Sequence, residues 1–419
     1  MGTNRRQVLA WAAYDWGNSA FATAVIAGFF PVFFRQYWSA GADPTVSTLR
    51  LGVANAVGSL VVLSLAPVLG AIADRGAFKK RFLTGFALVG VLSTAGLSLV
   101  EGGAWQLAAA LYVLAGVGFS GSNVFYDALI LDVAERRDLD FVSALGFAAG
   151  YLGGGLFFAG CVALTLWPQS FGLEDRACAV RVSFVLTAVW WAIFTVPLIG
   201  LVREGLIERR LRLRDAVVGG FRQLGATFRR LQHYRTVVLF LLAYWLYIDG
   251  VDTIVRMAVD FGLALGFPAE GLITALLITQ FVGFPAALVF GWVGQKTGPK
   301  PGILVGIAVY SGIAVWGRFL SSEWEFYALA VAIGLVQGGV QSLSRSFYAR
   351  LIPPEAAAEF FGFYNLLGKF AAVLGPLLMG GVAYLTGSTR DSILVLLALF
   401  IPGALLLAVV REPAVKFRS

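Results

Sequence analysis

The chain runs to 419 residues, of which 58% are hydrophobic and 13% charged, with 50 glycines, 34 phenylalanines and a formal net charge of +8. A soluble globular protein carries about 25% charged residues, so this composition excludes a polar surface of ordinary extent and requires a lipid environment. Two cysteines, Cys161 and Cys178, and the lone histidine His233 offer no disulfide framework and no metal-ligand spacing, so neither metal nor cofactor is expected. The same scarcity removes Ser-His and His-Glu chemistry, and no catalytic residue is expected.

Arg5 and Arg6 stand ahead of the first apolar run, which reaches Phe34 and contains Asp15 and Asn18. That length, those polar residues and the lack of a small-x-small site mark a first spanning helix rather than a cleaved signal. Apolar stretches able to cross about 30 Å of hydrocarbon follow in order. The first half holds spans near 8 to 34, 49 to 73, 82 to 101, 104 to 131, 141 to 167 and 180 to 202. The second holds spans near 236 to 258, 270 to 294, 301 to 320, 324 to 351, 359 to 386 and 391 to 410.

Residues 203–235 separate the halves as a basic linker, giving an organisation of 1–202, 203–235 and 236–419. Within it Ile207, Leu211, Val217, Val218, Phe221, Leu224, Phe228 and Leu231 recur at near-helical spacing. Two readings fit: an amphipathic helix on the anionic inner leaflet, or a helix packed on the ends of the bundle. Basic residues also crowd the connections after even-numbered spans, as at Arg75, Lys79, Lys80, Arg136, Lys300 and Arg350. Short cytoplasmic loops retain such residues, so both termini are expected in the cytoplasm, and the charge needs no nucleic-acid partner.

An internal repeat is visible. GAIADRGAFKK, Gly70 to Lys80, closes the second span, and GWVGQKTGPK, Gly291 to Lys300, closes the eighth, six spans later. Two six-helix bundles joined by a linker are the mark of a duplicated transporter. Both segments resemble the cytoplasmic loop signature of the major facilitator superfamily, which implies an all-α fold of twelve transmembrane helices and a gating role for these loops. Gly70, Asp74 and Arg75 fit the first copy; Gly291, Lys296 and Gly298 fit the second, where Gln295 replaces the acid. The second gate is therefore expected to lack the charge contact of the first.

Further segments are similar to the autophagy-related vacuolar amino-acid effluxers and their bacterial relatives. They are WAAYDWGNSAF at Trp11 to Phe21, VFYDALILD at Val124 to Asp132, FLLAYWLYIDGVDTIVR at Phe240 to Arg256, and the long stretch from Arg345 to Pro376. Relatives carry Asn where this chain has Asp127, and Lys369 matches the family pattern. The resemblance implies alternating-access transport, with amino acids as its substrate hint, and it implies that the first, fourth, seventh and tenth helices line the central cavity.

A charge at the bilayer centre costs roughly 2.5 to 3.5 kcal/mol, so charged residues inside spans must face a cavity or one another. Asp15, Asp127, Asp249, Asp252 and Arg345 fall on those four helices, with Lys369 on the eleventh. Helical spacing groups Ser120, Asn123 and Asp127, then Asp249, Asp252 and Arg256, then Gln337, Gln341 and Arg345. With Asn18 they form the expected solute or proton cavity. Asp249, well inside its span, is the expected proton carrier. Asp252 and Arg256 pair or meet solute, Arg345 closes a gate or snorkels, and Lys369 binds an anion or pairs with Asp127. Tyr14 and Trp16 are expected to wall a cationic group, and Trp11 to anchor at the interface.

The reading is a monomeric permease, a symporter or antiporter of the bacterial plasma membrane moving a small polar solute, with protons as the candidate coupling ion. The alternatives are a non-transporting sensor on the same fold and a sugar or drug facilitator.

Overall fold

A computed structural model describes residues 4–42, 50–51, 53–54, 57–58, 60–62, 68–74, 78–204, 234–386 and 388–411. The linker at 205–233, Arg75 and the side chain of Lys369 lie outside the described residues. Among those described, ten helices are long and apolar enough to cross a membrane: Arg5–Trp38, Lys79–Leu99, Trp105–Val133, Leu139–Leu166, Arg176–Leu201, Arg235–Ala258, Gly271–Thr297, Pro299–Arg318, Glu323–Leu351 and Arg390–Val409. They occupy the places of the first, the third to tenth and the twelfth spans. The eleventh is the 30-residue helix Ala357–Thr386, and the second is helical at 68–74.

Local chemistry fixes the helix ends. Asn4 accepts the backbone N–H of Arg6 at 3.0 Å, Asp175 accepts that of Cys178 at 2.7 Å, and Ser322 with Glu325 forms a capping box. Gly298 turns the chain from the eighth span into the ninth at φ 82°, a left-handed conformation that a Cβ disfavours. The paired loops share a further device. Lys80 Nζ donates to the carbonyl of Val202 at 2.7 Å, and Lys300 Nζ donates to those of Ala408 and Val410 at 2.6 and 2.9 Å. Each lysine thus binds the C-terminal carbonyls of the last helix in its own half, where a cation is favoured. Glu204 returns the favour to the first loop, accepting the N–H groups of Lys79 at 3.2 Å and Lys80 at 2.9 Å.

Helix pairing repeats as well. The first span packs on the fifth and sixth, and the third on the fourth and sixth; six spans on, the seventh packs on the eleventh and twelfth, and the ninth on the tenth and twelfth. Small residues permit these approaches in a membrane, where van der Waals packing replaces the hydrophobic drive. A Cβ on Gly118 would stand 2.4 Å from the backbone nitrogen of Gly90, while one on Gly116 would meet nothing within 4 Å. Backbone cannot yield as a flexible side chain does. Gly118→Ala should therefore cost about 1–3 kcal/mol and lower the melting temperature in detergent, with Gly116→Ala unchanged. Equal losses in both variants would refute the packing account.

Candidate functional site

A cavity of 430 Å3 lies between the halves, lined by residues of the first, fourth, fifth, seventh, eighth, tenth and eleventh spans. On the first span the lining runs from Asp15 to Ala27, about 18 Å along the axis, leading away from the end that carries Arg5. Asp15, Asn18, Asn123, Asp127, Asp252, Gln341 and Arg345 all reach it. Arg256, Gln337 and Gln280 join them with Tyr126, Tyr151, Tyr244 and Tyr364. Asn18 donates to Asn123 at 2.6 Å, and Tyr126 and Ser19 each donate to Asp15 at 3.2 Å. Among the described residues no cation lies within ion-pair distance of Asp15.

The floor of the cavity is Arg345, 2% exposed. Its Nε donates to Ser143 Oγ at 2.9 Å, its Nη2 to the Ser143 carbonyl at 2.8 Å, and its Nη1 to Asp127 at 3.0 Å. Asn365 donates to the other oxygen of Asp127 at 3.0 Å. Asp127 therefore takes its partners from the tenth and eleventh spans. Trp11 is not an interfacial anchor: it is fully buried, its ring 4.9 Å from the Arg345 guanidinium, stacked on Tyr126 and donating to the Tyr126 carbonyl at 2.9 Å. A desolvated guanidinium gains from an aromatic face, which outweighs the pull of the interface.

Asp249 also departs from expectation. It does not line the cavity; it is buried against the eleventh span, accepting the Gly375 N–H at 3.0 and 3.1 Å and the Thr253 hydroxyl at 3.4 Å. Pro376 follows in that helix and lacks an N–H of its own, so local helical bonding is already weakened there. A Cβ at 375 would lie 1.9 Å from Thr253 Oγ1, so only glycine lets the carboxylate reach this backbone.

At the end of the bundle that carries Arg5, two contacts seal the halves. Asp74 accepts the N–H groups of Ala358 at 3.0 Å and Glu359 at 2.9 Å, the first turn of the eleventh span, where a helix dipole favours an anion. Gly70 permits this, since its Cβ would lie 2.3 Å from the Ala358 carbonyl. On the other side, Gly291 presses on the fifth span, where a Cβ would meet Ala144 at 2.3 Å, and Gly294 presses on the tenth, where one would meet Leu343 at 2.5 Å. Gln295 and Lys296 are exposed, and Lys296 lies over the Trp292 ring at 3.5 Å. The second seal nonetheless has its charge contact, from a residue that the repeat did not reveal: Asp140, fully buried, accepts Ser346 Oγ at 2.5 Å and pairs with Arg350.

Comparison with known proteins follows this geometry. The model of the family described as "Vacuole effluxer Atg22 like" matches residues 51–137 and 131–415. The chain belongs to the Atg22-like family. It is 38% identical over 97% of its length, and 95% of the relative's, to the Bacillus subtilis protein named "Uncharacterized MFS-type transporter YxiO". It is 24% identical, over 93% of this chain and 84% of the relative, to autophagy-related protein 22 of Coccidioides immitis. Among solved structures, the fucose transporter FucP in its outward conformation superposes with TM-score 0.76 at 13% identity, covering 99% of this chain and 100% of its own. The human organic anion transporter MFSD10 does so with TM-score 0.70 at 16% identity, covering 96% and 99%. The fold is that of the major facilitator superfamily, and this Atg22-like chain is a multi-pass membrane transporter.

Asp74 lies just beyond its apolar run, and burial pushes its carboxyl up to about 7, against the pull of Lys79 and the Glu359 and Ala358 N–H groups, with Glu359 adding to the rise. When the seal opens, water returns the group toward its ordinary value of about 3.9. The sealed state therefore holds the extra proton; that stabilisation is full below the open-state value and is lost as pH rises through about 7. Spin-label distances across this end should show the sealed fraction rising from pH 8 to pH 6, with a flatter response in Asp74→Asn. An unchanged response in that variant would place the titration elsewhere.

Proposed function

We propose that the protein is a secondary active transporter for a small zwitterionic solute of the amino-acid class, working by alternating access between halves 1–202 and 236–419. The observation that carries this reading is a polar cavity that ends on a buried ion pair joining those halves. Arg345 needs an anionic partner, and Asp127 supplies it in the sealed state. A solute carboxylate arriving from the cavity competes for the guanidinium, while its ammonium group faces Asp15, whose neighbours Tyr126 and Ser19 leave the carboxylate open to the cavity. Displaced from Arg345, Asp127 keeps the Asn365 amide but no cation, and it takes up a proton, because a buried carboxylate without a counter-charge is costly. Solute and proton then cross together.

The seals at the Arg5 end support an outward-open state with both termini and residues 203–235 in the cytoplasm of a bacterial cell. One chain builds the whole cavity, so a monomer suffices. Asp249 acts as a structural clamp on the eleventh span, and Lys369 is a second candidate for the solute carboxylate.

In proteoliposomes, Asp127→Asn should keep solute exchange but lose accumulation driven by a pH gradient. Asp15→Ala should raise the apparent KM about tenfold to a hundredfold, the worth of one charge-assisted hydrogen bond at about 1.5–3 kcal/mol. Asp249→Asn should lower the melting temperature and leave coupling intact. If Asp127→Asn still concentrates amino acids with unchanged pH dependence, the coupling scheme is wrong; binding without flux in the wild type would identify a sensor.

A further inference from the structure

The first and fifth spans touch along a stripe of glycines and then part toward the Arg5 end. A Cβ on Gly146 would lie 2.8 Å from the Trp11 ring, and one on Gly153 would lie 2.6 Å from the Trp16 carbonyl. Beyond Gly146 the stripe gives way to Leu145, Val142 and Phe141, which face Val8 and Leu9 across a crevice of 620 Å3. Its inner walls are wholly apolar, and Leu9 is 62% exposed, turned toward the surrounding lipid. Its mouth is polar. Arg5, Arg137 and Asp138 stand there, at the membrane ends of the two helices and hence at head-group depth.

We propose that this crevice binds an anionic phospholipid of the bilayer, one acyl chain between the helices and the phosphate on Arg5 and Arg137. An apolar wedge open to lipid excludes a water-borne polar solute and matches an acyl chain in both chemistry and depth. The charge at the mouth selects the head group. Arg137 already meets Glu135 at 3.0 Å and Asp138 at 3.7 Å, whereas Arg5 has no carboxylate within 4 Å among the described residues. Arg5 is thus the guanidinium of the lining whose charge is not met by a described carboxylate, and an anionic head group supplies its counter-charge. The fifth span also carries Ser143 and Asp140, which hold Arg345 and Arg350 across the seam. A lipid wedged behind that helix presses it onto the other half and so favours the sealed state.

The test is native mass spectrometry of the full chain in detergent, titrated with phosphatidylglycerol or with phosphatidylcholine of the same acyl chains. At roughly 1 kcal/mol per arginine, the double variant Arg5→Gln with Arg137→Gln should hold phosphatidylglycerol about tenfold or more less tightly. Arg6→Gln with Arg136→Gln removes the same charge from neighbouring positions and should stay within about twofold of wild type. Leu145→Trp, which fills the wedge and keeps both arginines, should weaken binding as well. Phosphatidylcholine held as tightly as phosphatidylglycerol overturns the proposal, as do equal losses from the two arginine pairs or an unaffected Leu145→Trp. Displacement of the lipid by inorganic phosphate would show an ion site in its place and overturn it too.

Discussion

A guanidinium buried between two helical bundles is the constraint around which this molecule is arranged. Arg345 belongs to the tenth span, yet three of its donors are satisfied by Asp127 and Ser143 of the other half, and the rings of Trp11, Tyr126 and Phe147 enclose it. Removing one partner of a buried pair typically costs about 3–5 kcal/mol, so the halves cannot part here unless another anion takes the place of Asp127. In the proposed cycle, the demand for a partner links an event in the cavity to the opening of the seam. Mutual replacement of ligands around one fixed cation is a simple way to couple solute to conformation.

The eleventh span is the element on which these contacts converge. Asp74 holds its first turn, Asp127 holds Asn365 two turns on, and Asp249 holds Gly375 further still. Two of these carboxylates come from the opposite half and one from its own, so the helix is fastened within its own half at one level and across the seam at the others. A helix so placed can tilt about the attachment within its own half when those across the seam release.

Much of this was legible in the sequence, and the rest was hidden for identifiable reasons. Spacing at three and four residues placed Asn123 with Asp127, and Gln337 with Gln341 and Arg345, on shared helix faces, because every helix obeys the same angular step, and the family resemblance turned those faces to the cavity. That step misled for Asp249: seven residues before Arg256 it shares nearly the same angle, yet about 10 Å further along the helix that flank turns to Gly375 rather than to the cavity. No pattern within one helix specifies which neighbour its flank will meet. Asp140 escaped notice because the repeat pointed to position 295, while the acid of the second seal sits on the partner helix of the other half. Its sign was an acid at a helix start facing a basic helix end at Arg350. The π-wound stretch of the first span, Phe21–Phe29, lies ahead of Pro31 but has no composition that sets it apart from ordinary helix.

Glu204 joins the end of the sixth span to the first loop. Its carboxylate is bonded to the N–H groups of Lys79 and Lys80, beside Asp74. Lys80 in turn grips Val202. A pull on the chain at Glu204 is therefore shared between the sixth span and the loop that forms the first seal. That end of the helix is thus held as a lever rather than a tether, and any force on it bears directly on the first seal.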